Sequence, residues 1–146
     1  MGAATAIAFV VGAAADLQAG RQAEAESRLV ERQEYVNAQN VLEVNKQRAK
    51  ADKRQRLLEY GKAVASVATS GVQFAGSVTD NLSTMMGDIK KAEMDILYEG
   101  EVNAFNHREA GRAARVKGRN AKRKGQLSAV IGVAKATGKI SDMDDE

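Results

Sequence analysis

Residues Val72 to Asp80 read VQFAGSVTD, and with Ser70-Gly71 just before them they are the one interruption in an otherwise helical sequence. Ser70-Gly71 has the character of a helix stop, because glycine adopts the left-handed conformation without steric cost. Ser77-Val78-Thr79-Asp80 has the character of a start. A serine oxygen can accept from the amide three residues on, and the Asp80 carboxylate suits the positive end of a helix. The stretch therefore predicts two long helices folded back about Gln73-Phe74-Ala75. Gly71, Phe74, Gly76, Ser77 and Asp80 are its turn residues.

Working outward, residues 16 to 70 form one helical pattern in which polar residues dominate. Its apolar positions recur loosely at Leu29, Val36, Val41 and Val44, then at Leu57, Tyr60, Val64 and Val67 in steps of three and four. With no proline to stop it, a helix from Ala3 to Ser70 would be on the order of 100 Å long. On the other side of the break, Leu82, Met85, Ile89, Ala92 and Ile96 alternate three- and four-residue steps, as a helix–helix seam does. The predicted seam comprises Leu57, Val64, Leu82, Met85, Ile89 and Ile96. Beyond Leu97 the stripe thins to Val102, Phe105 and Val116, and Gly100, Gly111, Gly118 and Gly125 weaken this half as helix.

The fold class expected is all-α: an elongated antiparallel hairpin of two long helices that oligomerises. It makes one helical domain over residues 1–146. The first helix covers 1–70, the turn 71–77 and the second helix 78–138, and 139–146 form an acidic tail. Composition agrees. Three Phe, three Tyr and no Trp, with much of the apolar content in alanine, give helix propensity but little area to bury. Such a chain points to completion by partners.

Charge tests the hairpin. If the fold centres on Phe74, residue i faces residue 148 − i. The bases Lys46, Arg48, Lys50, Lys53, Arg54 and Arg56 then face Glu93, Asp95, Glu99 and Glu101. Further out, the acids Glu24, Glu26, Glu31 and Glu34 face Arg112, Arg115, Lys117, Lys122 and Lys124. Base meets acid in both blocks with the signs exchanged, and like-charged blocks would repel, so the pattern selects antiparallel pairing.

Two apolar runs close the ends. Ala3 to Ala15 reads AATAIAFVVGAAA and Leu127 to Ala136 reads LSAVIGVAKA. Both are shorter than the roughly 20 residues that cross a bilayer as helix. Ile7, Phe9, Val10, Val11, Leu127, Val130, Ile131 and Val133 are their membrane- or oligomer-facing side chains. A net charge of +3 hides an asymmetry, since residues 107–140 carry ten Lys or Arg against Glu109 alone. The basic patch is Arg108, Arg112, Arg115, Lys117, Arg119, Lys122, Arg123 and Lys124. It has two readings: these bases pair with the Glu24–Glu34 block, or they bind phosphates. Without interleaved aromatics, any nucleic-acid contact would be independent of sequence.

No enzyme is expected. His107 is the single histidine, cysteine is absent, and no phosphate loop, paired-carboxylate or Ser/His/Asp arrangement stands out, so neither cofactor nor metal is implied.

One resemblance covers nearly the whole chain. An alanine-rich apolar start leads into a Gln/Ala/Glu/Arg-rich helix. A break follows of the form A-x-S-G-V-x-(F/L)-x-x-S, here Ala68 to Ser77, then N-A-F-N-H-R-E-A at Asn103 to Ala110 and a closing Ala/Gly/Val segment. The pattern resembles the small internal virion proteins, or ejection proteins, of short-tailed bacteriophages. That resemblance implies a non-enzymatic protein held inside the capsid near the portal. It would leave ahead of the genome and help form a DNA conduit in the host envelope, typically the outer membrane. The implied partners are further copies of itself, other virion core, portal or tail proteins, the host outer membrane, and DNA contacted non-specifically through a lumen. The alternative is a structural helical adaptor or core protein on the portal or tail that never enters a membrane.

Overall fold

The structure, a computed structural model, describes the backbone of residues 2–71 and 76–144 and the side chains of 11–71, 76–135 and 137. It consists of two helices, α1 (Gly2–Thr69) and α2 (Ser77–Asp144), that pack against each other as a hairpin. Alanine richness and the lack of proline account for their length.

The break behaves as helix punctuation. The Ser70 N–H donates to the Ser66 carbonyl at 3.1 Å, closing α1. Gly71 follows at φ +69°, the left-handed conformation that ends helices. Gly76, at φ +57°, precedes α2, and its carbonyl accepts from the Asp80 N–H at 3.2 Å. Asp80 lies in the first turn, as expected. Ser77 is already helical, so the flanking residue is Gly76, one position earlier than predicted. Phe74 lies outside the described residues. At the far end, α2 continues to Asp144 and does not stop at 138.

Contacts divide the chain into two compact units, residues 1–35 with 108–146, and residues 36–107. In the second unit Ala38, Ala49, Ile89 and Ala104 are buried, as is Gly100. The predicted stripe holds there: Leu82, Met85, Ala92 and Ile96 are half-buried around Ile89, and Val64 faces the same seam. Leu57 does not. It is 40% exposed, because half-buried Tyr60, Ala63 and Val67 set a seam that turns Leu57 to its flank. Lys53 pairs with Glu93 at 2.8 Å and Arg48 with Glu99 at 3.9 Å.

In the first unit the buried residues are Ala13 and Ala129, joined by Gly20, Gly111, Gly118 and Gly125. Arg115 meets Glu31 at 3.2 Å and Lys122 meets Glu24 at 2.8 Å. The exchanged charge blocks are thus realised within one chain. Three of these four cross-helix pairs fit residue i facing 146 − i, not 148 − i. The pairing centres one residue before Phe74.

Candidate interaction surfaces

In the unit of residues 1–35 and 108–146, and at Gly100 in the other, the helix contact is made by small residues. A Cβ on Gly125 would lie 2.5 Å from the Asp16 carbonyl oxygen, and one on Gly118 would lie 2.5 Å from Ser27 Cβ. At Gly100 the same test meets Asn45 Cβ at 2.7 Å. Backbones this close leave no room for larger side chains, and the contact area comes from main chain and Cβ atoms. The polar side chains facing these glycines are satisfied on their own helix. Ser27 Oγ donates to the Ala23 carbonyl at 2.7 Å and Asn45 Nδ2 to the Val41 carbonyl at 2.9 Å. No buried side-chain nitrogen or oxygen among the described residues lacks a partner.

This corrects the expected course of the seam. Val102, Phe105 and Val116 do not continue it; they are exposed, Phe105 and Val116 at 56% each. Leu29, Val36 and Val44 are likewise exposed on α1. Beyond Leu97 the contact follows small residues instead: Ala104, Gly111, Gly118 and Gly125, one every seven residues, with Ala13, Gly20 and Ser27 spaced the same way on α1. That seven-residue recurrence of small residues is the signal that marks the seam.

The large side chains form the outer surface. Of the eight apolar end residues, Val11, Leu127, Val130, Ile131 and Val133 are exposed, while the side chains of Ile7, Phe9 and Val10 lie outside the described residues. Residues 36–107 present Met94 and Tyr98 at 69% and 72% exposure.

The basic patch separates into bound and unbound members. Arg115 and Lys122 are held by Glu31 and Glu24 across the hairpin, and Arg112 by Glu109 on its own helix. The Lys122 ammonium, and after it Arg28, hold the Glu24 carboxyl below its ordinary pKa against a smaller opposing effect of burial. Arg108, Lys117, Arg119, Arg123 and Lys124 are exposed. His107 is half-buried on the seam side of α2. Among the described residues no group of His, Cys, Asp or Glu is placed to hold a metal ion, and no helix is long and apolar enough to cross a membrane.

Comparison of the chain with known protein families, with curated proteins and with solved structures finds no match.

Proposed function

We propose that the chain is a non-enzymatic assembly protein: copies of the hairpin pack side by side through their outer apolar faces to build a ring or tube. The observation that carries this reading is the set of large apolar side chains left exposed, Val11, Leu127, Val130, Ile131 and Val133 in one unit and Met94, Tyr98 and Phe105 in the other, while the helix contact of residues 1–35 and 108–146 is made by alanine and glycine. A hairpin stable for its own sake gains from burying the large side chains, at about 25 cal/mol per Å². Ile89 and the stripe around it gain this within the chain; the exposed large side chains gain it against a neighbour.

The setting follows the resemblance to the ejection proteins of short-tailed phages. In this reading the protein resides in the virion near the portal, is released ahead of the genome, and assembles in the host envelope as part of a DNA conduit. The exposed Val11, Leu127, Val130, Ile131 and Val133 are the side chains that meet lipid or neighbouring copies. The experiment is dye release from vesicles of outer-membrane composition with the full chain. Release that requires oligomers is expected; oligomers that leave the vesicles intact contradict the membrane step.

The second reading, a helical adaptor or core protein on the portal or tail, is favoured by the absence among the described residues of a helix that could cross a bilayer. It keeps the assembly and removes the lipid. Deleting Met1 to Ala15 separates the two. An adaptor loses assembly in solution, whereas an ejection protein still assembles and fails only on vesicles.

A further inference from the structure

We propose that the outward side of α2 from Arg108 to Lys124 binds the phosphate backbone of double-stranded DNA without reading its sequence, and that Arg115 and Lys122 are not part of that surface. The proposal goes beyond assembly, and it stands whether or not the chain meets a membrane.

The hairpin's own acids divide the eight bases. Glu31 and Glu24 occupy Arg115 and Lys122 across the hairpin, and Glu109 occupies Arg112 along the helix. Among the described residues, Arg108, Lys117, Arg119, Arg123 and Lys124 form no ion pair with a carboxylate, and all five are exposed. Pairing within the hairpin therefore accounts for only part of the basic run. Arg119 and Arg123, one turn apart on one face, repel each other, a repulsion that a polyanion relieves.

Their arrangement suits a phosphate backbone. At 3.6 residues per turn, Arg108, Arg119 and Arg123 fall within an arc of about 60° and extend about 22 Å along the helix. Lys117 and Lys124, one heptad apart, form a second row. Between the rows lie Glu109, Ala113, Val116 and Asn120, which with Arg112 and Lys117 line a shallow depression, the Glu109 carboxylate being paired with Arg112. A helix with bases on both flanks, and between them Ala113, Val116, Asn120 and one acid already paired with Arg112, fits the major groove, about 12 Å wide, with its cations toward the phosphates of either wall. Three of the five bases are arginines, whose planar fork pairs with phosphate oxygens bidentately. No aromatic residue lies between Arg108 and Lys124, so base stacking contributes nothing.

The test is fluorescence anisotropy of the full chain with a labelled random-sequence duplex, in solution without vesicles, across a salt series. With about five phosphate contacts, log K falls against log salt with a slope near −4.5, a loss of a few hundred-fold between about 50 and 200 mM. Neutralising Arg108, Lys117, Arg119, Arg123 and Lys124 to Gln abolishes binding while circular dichroism retains the helix content. The Arg115→Gln/Lys122→Gln variant keeps the wild-type slope. Should the fivefold variant lose helix, Arg119→Gln and Arg123→Gln each reduce the slope by about 1 on their own. A flat salt dependence, equal losses in both variant sets, or binding confined to anionic vesicles with none to the duplex overturns the proposal.

Discussion

The backbone of Gly125 packs directly on the backbone of Asp16: a methyl group at Gly125 would lie 2.5 Å from the Asp16 carbonyl oxygen. Main chain cannot move aside as a flexible side chain can. Gly125→Ala should therefore destabilise the hairpin by about 1–3 kcal/mol, although alanine is the better helix former. Gly61 and Gly87 have nothing within 4 Å of such a Cβ, so Gly61→Ala and Gly87→Ala should stabilise by about 0.5–1 kcal/mol. Thermal melts of the three variants check the contrast in sign. A stabilised Gly125→Ala would mean that the helices do not approach each other there.

The register is open to a charge-swap test. Arg115 and Glu31 meet at 3.2 Å with both side chains partly exposed, so the pair contributes below about 1 kcal/mol. Glu31→Arg should cost roughly 0.5–1 kcal/mol by setting like charges together, and adding Arg115→Glu should recover most of the loss. Swapping Glu26 in place of Glu31 should recover nothing. Urea unfolding midpoints give the comparison.

Stability should fall at acid pH in part through Glu24. Its carboxyl is held below the ordinary value first by the Lys122 hydrogen bond and then by Arg28. A folded-state value lower than the unfolded one gives stability that is present above the unfolded value. That stability is lost as pH falls through the lowered one. Glu24→Gln should lower the melting temperature near pH 7 and leave it nearly unchanged near about pH 3, so that its pH profile is flatter on the acid side than the wild type's.

The outer apolar residues should govern association and leave the fold alone. Val130 and Ile131 are 66% and 54% exposed. Val130→Ser with Ile131→Ser should change the stability of the separate hairpin by no more than about 0.5 kcal/mol. Sedimentation of the same variant should show weakened self-association. An unfolded variant would place these side chains in the hairpin's own core.

The hairpin itself was legible. The glycine-flanked break between Ser70 and Ser77, the exchanged charge blocks and the Leu82–Ile96 stripe each rest on strong local chemistry, and each appears in the structure. Where the sequence misled was in equating large apolar residues with the contact. Leu29, Phe105 and Val116 drew attention because hydrophobicity scales weight side-chain size. The contact is built where side chains nearly vanish, at Gly111, Gly118 and Gly125, and there the same scales are silent. Glycine lowers helix propensity locally, and only its seven-residue spacing shows that the loss is offset by close approach of two backbones. The division of the basic run was also beyond the sequence. Charge counting placed Lys122 and Lys124 opposite the same acids, and only the helix phase gives Lys122 to Glu24 and leaves Lys124 outside.

The central claim is that the hairpin is made to be completed by further copies of itself. The most direct measurement is the mass of the purified full-length chain by light scattering, with and without vesicles of outer-membrane composition. The account predicts a discrete oligomer of many copies that forms on the vesicles. A protein that stays monomeric at every concentration, with and without lipid, would contradict it.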